Sequence, residues 1–181
     1  MKKFLKWAGI VIGTLAVVLF IAFKFLQSNT KKASPEATAE FEKGGKQVSI
    51  FYCRPSKKGR EIFGGLVPYG QVWRTGANEA TTFTTNKDLI IGGKPLPAGK
   101  YTLWTIPNKD TWTVIFNSEM YGWGVSFGGV ASRDAAADVL QVDVPVELLT
   151  ESQEQFSISF DETTPSMSMA WDKTKIVVPF Q

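Results

Sequence analysis

The segment KYTLWTIPNKDTWTVIF, residues 100–116, decides the fold. Two runs rich in β-branched and aromatic residues, 100–106 and 111–116, flank Pro107-Asn108-Lys109-Asp110. Proline presets the turn dihedral, and Asn and Asp side chains bond to their own backbone, so the segment predicts an antiparallel hairpin. Working outward, residues 88–91 end in Gly92-Gly93, and Pro97-Ala98-Gly99 makes the next reversal. Val48, Ile50 and Tyr52 alternate with Ser49, Phe51 and Cys53, as in a half-buried strand. Residues 139–146, 155–160, 166–171 and 175–178 read as further short strands, and helix is expected only around 133–137 and as a turn near 146–151. Short strands with frequent turns predict an all-β domain over 46–181, an antiparallel β-sandwich or a barrel-like sheet. Trp73, Trp104, Trp112, Trp123 and Trp171 are expected in its core or at the core edge, a carbohydrate platform being the alternative for one or two of them.

Ahead of that domain, residues 7–23 carry no charge. As a helix the run is about 26 Å long, and extended to 4–26 about 34 Å, enough for a hydrocarbon core of about 30 Å. Lys6 and Lys24 then snorkel to the two interfaces. Lys2, Lys3 and Lys6 also fit the basic start of a cleaved signal peptide, but the apolar run exceeds the usual length, and Ala37-Thr38-Ala39 lies far beyond it. Residues 1–26 are therefore expected to be an uncleaved transmembrane signal anchor. Lysines flank both ends almost equally, and the very short N-terminal tail favours N-in. That places the chain as a single-pass protein of the inner (cytoplasmic) membrane with its C-terminal domain periplasmic. Residues 27–45, small and polar apart from Phe41, are expected to form a flexible stalk.

The chain has no histidine and one cysteine, Cys53. That excludes Ser-His-Asp and Cys-His catalysis, every histidine-containing metal site, an intrachain disulfide and a multi-cysteine zinc site. No metal and no cofactor is expected. The net charge of +3 is misleading, because four of the 20 basic residues, Lys2, Lys3, Lys6 and Lys24, belong to the tether. The remainder is nearly neutral, without the basic surface that nucleic acid requires.

The loop region 54–82 differs from the rest: it holds Arg54, Arg60 and Arg74 with Glu61, Asn78 and Glu79, interspersed with glycines. A guanidinium offers five donors in a planar fork suited to carboxylate or phosphate. Arg54, Arg60, Arg74, Asn78, Glu79 and Glu61 are thus candidate ligand-binding residues for an anionic small molecule, a glycan or an envelope protein. A buried network, such as Arg74 with Glu79, that staples the loop to the sheet is the competing reading. A hydrolase or lyase of cell-wall or sugar substrates, with Glu61 and Glu79 as paired carboxylates, is the enzymatic alternative. Gly124-Val125-Ser126-Phe127-Gly128 matches a nucleophile elbow but lacks both a βα setting and a base. Ser56 with Lys58 reads as a solvated turn rather than a catalytic dyad, so no catalytic residue is assigned.

These residues also carry a resemblance. Arg54-Pro55-Ser56, Gly59-Arg60, the run from Phe63 through Gly64-Gly65-Leu66-Val67-Pro68-Tyr69 to Gly70, and Trp73-Arg74-Thr75-Gly76-Ala77-Asn78-Glu79-Ala80-Thr81 resemble the bacterial domain-of-unknown-function family 2911. The likeness continues through Leu96-Pro97-Ala98-Gly99-Lys100-Tyr101-Thr102-Leu103, Ile106-Pro107, Trp112-Thr113-Val114-Ile115 and Trp171, covering about 46–180. The resemblance implies kinship without an activity. Members commonly carry Ser at the position of Cys53, which argues against a catalytic thiol.

Overall fold

The computed structural model describes residues 2–126 and 128–181. Met1 of the expected anchor and Phe127 of the glycine-rich 124–128 motif lie outside the described residues, as do the side chains of Lys2, Lys3, Leu5 and Ala8. The chain divides into two compact units, residues 1–33 and 34–181. The first unit is helix α1, Lys2–Ala33. Within it Gly9–Ala33 is long and apolar enough to cross a membrane, with none of its apolar window buried in protein. Lys24 bonds Gln27 and lies 5.8 Å from the Phe20 ring, keeping its charge at the end of the apolar stretch.

The second unit is mostly β. Seven antiparallel strands form one sheet: β1 (Glu36–Lys43), β2 (Lys46–Cys53), β3 (Thr82–Thr85), β6 (Gly99–Ile106), β7 (Thr111–Asn117), β8 (Asp138–Asp161) and β9 (Ser166–Pro179), in that spatial order. The sheet curls into a half-barrel. A separate ribbon of β4 (Leu89–Ile91) and β5 (Lys94–Leu96) continues it, because Ile90 and Gln181 exchange both main-chain hydrogen bonds just past the end of β9. The 100–116 hairpin forms as expected, Leu103 opposite Phe116 and Thr105 opposite Val114.

The expected stalk is corrected. Its first part, to Ala33, is helical, and residues 36–43 form β1, paired with β2 from Glu36–Cys53 to Lys43–Lys46. Its composition conceals a period of two: Ala37, Ala39 and Phe41 turn inward while Glu36, Thr38, Glu40 and Glu42 face solvent. Gly44 and Gly45, both at positive φ, supply the two-residue turn into β2. The domain therefore begins near residue 34 rather than 46. The turn expected near 146–151 is also corrected, since β8 runs through it as strand with register shifts at 148–153 and 153–157. The strands expected at 139–146 and 155–160 are two halves of that one bent element. Around 133–137 the expected helix is a single 3-10 turn, Ala135–Ala137.

The core lies inside the half-barrel. Ile50, Phe83, Leu103, Val114 and Phe116 from the wall meet Phe156, Ile158, Met169, Trp171 and Val178 from the β8–β9 hairpin, which folds across the opening. Phe41 packs against Phe160 and, edge-on at 5.0 Å, against Phe180. The Tyr52 hydroxyl accepts from the Ile158 amide at 3.0 Å, joining wall and hairpin across 106 residues. At one end Phe63, Trp73, Trp112, Phe156 and Trp171 form an aromatic cluster in which Trp73 and Trp171 are nearly parallel.

A second, smaller apolar layer covers the other face of the sheet. Trp104 and Ile115 are fully buried there beneath Ala80, with Val72, Ile106, Tyr121 and Ala131 against them. This explains why β6 and β7 are buried on both faces, a property alternation alone does not announce. The cover consists of two loops, 70–81 and 118–134.

Candidate functional site

The 70–81 loop is pinned to β6 at both ends. Trp73 and Thr105 exchange main-chain hydrogen bonds, and the Leu103 amide donates to the Thr81 carbonyl. Between these clamps the backbone is strained: Thr75 has φ 56° and Asn78 φ 58°, with Gly76 at 153°. A β-branched residue at positive φ is rare, and it persists here because the surroundings over-determine it. The Thr75 hydroxyl pairs with that of Thr105 at 3.2 Å, the Thr81 hydroxyl donates to the Thr75 carbonyl at 2.7 Å, and the Trp73 indole donates to the Gly76 carbonyl at 3.0 Å.

The turn gathers Arg74, Asn78 and Glu79 beside Cys53, the last residue of β2. Because Tyr52 faces the core, Cys53 faces the opposite side, where the loop buries it completely. Its thiol donates to Glu79 Oε2 at 3.5 Å. Burial pushes the thiol up to about 11, with Asn78 opposing and the Glu79 charge reinforcing that shift. Cys53 is therefore a protonated donor at neutral pH and not a nucleophile. Asn78 donates to the carbonyl of Ser34, the residue at which the chain enters the domain. Arg74 is half-buried, and Nη1 donates to the Trp123 carbonyl at 2.9 Å. Burial pulls its guanidinium below the ordinary value, with the charges at Cys53 and Glu79 pulling it back up. Its other donors form no hydrogen bond among the described residues.

The remaining candidates lie elsewhere. Arg54 turns to the β8 strand and donates from Nε to the Phe156 carbonyl. Arg60 is exposed and folds back on its own turn, donating to the Lys57 and Ser56 carbonyls at 2.9 and 2.6 Å. Glu61 is exposed, its main chain closing the 61–66 turn by accepting from Leu66. The structure thus gathers Arg74, Asn78 and Glu79, commits Arg54 and Arg60 to main-chain carbonyls, and shows no bond between Glu61 and the Arg74 group among the described residues. Lys57, between Ser56 and Lys58, pairs with Asp172 at 2.6 Å, and Ser126 donates to the Val130 carbonyl.

Cys53, Ser34 and Trp123 complete the group and are not legible as partners in the sequence, although strand parity from Tyr52 points Cys53 toward the loop. A second polar network, also missed, fastens the 118–134 loop. Asn117 donates to the Asp134 carbonyl and to Asp138, which also pairs with Arg133, and Tyr121 bonds Asn117 and the Asp134 amide. Among the described residues no trio of His, Cys, Asp or Glu is spaced to hold a metal. A cleft of about 530 Å³ lies over the β1–β2 hairpin, but it shares no residue with the Arg74 group, and Glu40, Glu42 and Glu162 make it repel anions.

A family model described as Protein of unknown function (DUF2911) matches residues 34–180, which start where the structural domain starts rather than at residue 46. No curated protein and no solved structure matches the chain.

Proposed function

The chain belongs to the DUF2911 family, and from that premise we propose that it is a membrane-anchored recognition domain of the cell envelope, without catalytic activity of its own. Its helix holds it in the cytoplasmic membrane with the domain on the periplasmic side. The domain binds the anionic group of a small molecule, a glycan or an envelope protein at Arg74, with Asn78 and Glu79 orienting it. The observation that carries this reading is the strained Thr75–Asn78 backbone, clamped at both ends to β6, that holds a half-buried guanidinium with donors to spare. Fixing a charged donor before a ligand arrives removes much of the ordering cost of binding. The protonated Cys53, fully buried with its thiol donating to Glu79, supplies no nucleophile.

The test is thermal unfolding of the full chain in detergent, with inorganic phosphate, acetate, glucuronate and an acidic peptide as probes. A ligand that binds only the folded state raises the midpoint with its concentration. At least one probe is expected to do so in the wild type, partly in Arg74→Lys and not in Arg74→Met. No shift in the wild type, or an equal shift in Arg74→Met, refutes the reading.

A further inference from the structure

We infer that the outer edge of β1 is a docking site for an extended segment of a partner protein that carries lysine or arginine at alternate positions. The segment adds to the sheet as a further strand, and its basic side chains enter the cleft beside Glu40 and Glu42. The site is separate from the Arg74 group. The first observation is an open ladder. β1 ends the sheet, and among the described residues β2 is its one ladder partner. Gln47, opposite Glu42, turns its main chain to the far side, donating to Asn86 Oδ1 at 2.8 Å and accepting from the Asn86 amide. Main-chain directions alternate along an antiparallel pair, so Thr38, Glu40 and Glu42 present their own N–H and C=O groups away from β2. The β8–β9 hairpin meets β1 through side chains and forms no ladder with it: the Phe41 ring packs on Phe160, and the Lys43 ammonium donates to the Glu162 carbonyl at 2.6 Å. An incoming strand draws its affinity from such an unpaired edge.

The second observation is the chemistry beside that edge. Glu40, Ser49 and Thr84 form one cross-strand row on the outer face, with Glu42 opposite Gln47 in the next. Together with Glu162 they line the cleft of about 530 Å³, and no lysine or arginine lines it. None of these six side chains has a hydrogen bond or an ion pair among the described residues. Carboxylates and hydroxyls left unspent in this way suit an ammonium or guanidinium group.

The two observations together select the occupant. A free amine satisfies the carboxylates and leaves the strand edge empty, whereas a basic extended segment satisfies both. Side chains two residues apart share one face of a strand, so alternate basic residues fall opposite Glu40 and Glu42. A second copy of this chain is disfavoured, because pairing β1 with β1 sets the acidic side chains of one copy against those of the other. Nucleic acid meets the same repulsion, and among the described residues no trio of His, Cys, Asp or Glu is spaced to hold a metal.

The experiment titrates the full chain, in a non-ionic detergent, into a short acetylated peptide of alternating lysine and valine that carries a neutral fluorophore, and reads fluorescence anisotropy. Saturable binding is expected for the wild type, and several-fold weaker binding for the double variant Glu40→Gln, Glu42→Gln. A peptide of the same sequence, N-methylated at alternate residues so that one edge cannot donate, is also expected to bind the wild type several-fold more weakly. No saturable binding to the wild type overturns the inference, and so does equal binding by the double variant. Equal binding of the N-methylated peptide reduces the cleft to a site for amines and overturns the added strand. Both glutamates are exposed, so the double variant is expected to keep the wild-type unfolding midpoint. The N-methylated peptide tests the edge without altering the protein.

Discussion

The Lys57 ammonium lies 2.6 Å from Oδ1 of Asp172, and the Ser152 hydroxyl donates to the same oxygen at 2.6 Å. Asp172 sits at φ 53° in the middle of β9, so the contact ties the start of the long loop to an irregular point of the hairpin. Partial burial pushes the carboxyl up, but the hydrogen bonds from Lys57 and Ser152 and the Lys57 charge outweigh it and hold it below the usual range. A depressed carboxyl contributes stability above its unfolded value of about 3.9, and that contribution is lost as pH falls through the folded one. Acid should therefore lower the wild-type unfolding midpoint below about pH 4, and Asp172→Asn should flatten part of that slope. At neutral pH the variant should lose only about 0.5–1 kcal/mol, because the pair is partly solvated and Asn tolerates the left-handed backbone.

Cys53 carries the opposite sign. Its folded value is raised, so its contribution is intact below the unfolded value of about 8.5 and declines as pH rises through it. The stability of the wild type should fall between about pH 9 and about 11, and Cys53→Ser should remove that dependence. In the folded chain the thiol should resist alkylation at neutral pH and react on unfolding. Membrane sidedness is consequently better read from Lys109→Cys with an impermeant reagent than from Cys53.

A fragment beginning at residue 34 should unfold cooperatively, whereas one beginning at 46 should be much weaker. The shorter fragment lacks β1 and leaves a hole where Phe41 meets Phe160 and Phe180. Phe41→Ala alone should cost about 3–5 kcal/mol by denaturant titration.

Arg74→Ala separates recognition from stapling. If the guanidinium is held mainly for a ligand, losing its bond to the Trp123 carbonyl should cost about 1.5–2 kcal/mol. A loss of about 3–5 kcal/mol, matched by Glu79→Ala, marks the group as an internal staple and sinks the binding proposal.

Gly124→Ala tests the seam between the two covering loops. A Cβ there falls 3.0 Å from that of Ala80 and 3.3 Å from that of Arg74, at a φ of +72°. Both effects oppose substitution, and the unfolding midpoint should drop by about 1–3 kcal/mol in equivalent stability.

How much of this was legible depended on which signal a residue carried. The 100–116 hairpin was readable because its turn chemistry and strand runs agree, and the Gly92-Gly93 and 97–99 reversals for the same reason. β1 was not, because its inward residues before Phe41 are alanines, too small to register against four charged neighbours. The bent middle of β8 was read as a helical turn because its bulges break the period of two. At the candidate site, the arginine-rich composition singles out the loop, but local sequence does not say that Arg54 and Arg60 spend their donors on main-chain carbonyls. Strand parity did hold the clue to Cys53, whose inward neighbour Tyr52 was plain.

The hairpin of β8 and β9 closes the half-barrel onto strands that precede it by about a hundred residues, as the Tyr52–Ile158 bond shows. Chains dominated by such distant pairings fold slowly, because loop entropy is lost before the contacts that compensate it form. During synthesis the wall strands emerge first, with Ile50, Phe83 and Leu103 uncovered until the last residues arrive. The nascent domain is thus an open trough of apolar side chains for most of its elongation, and a chaperone able to occupy that trough is the assistance its topology calls for.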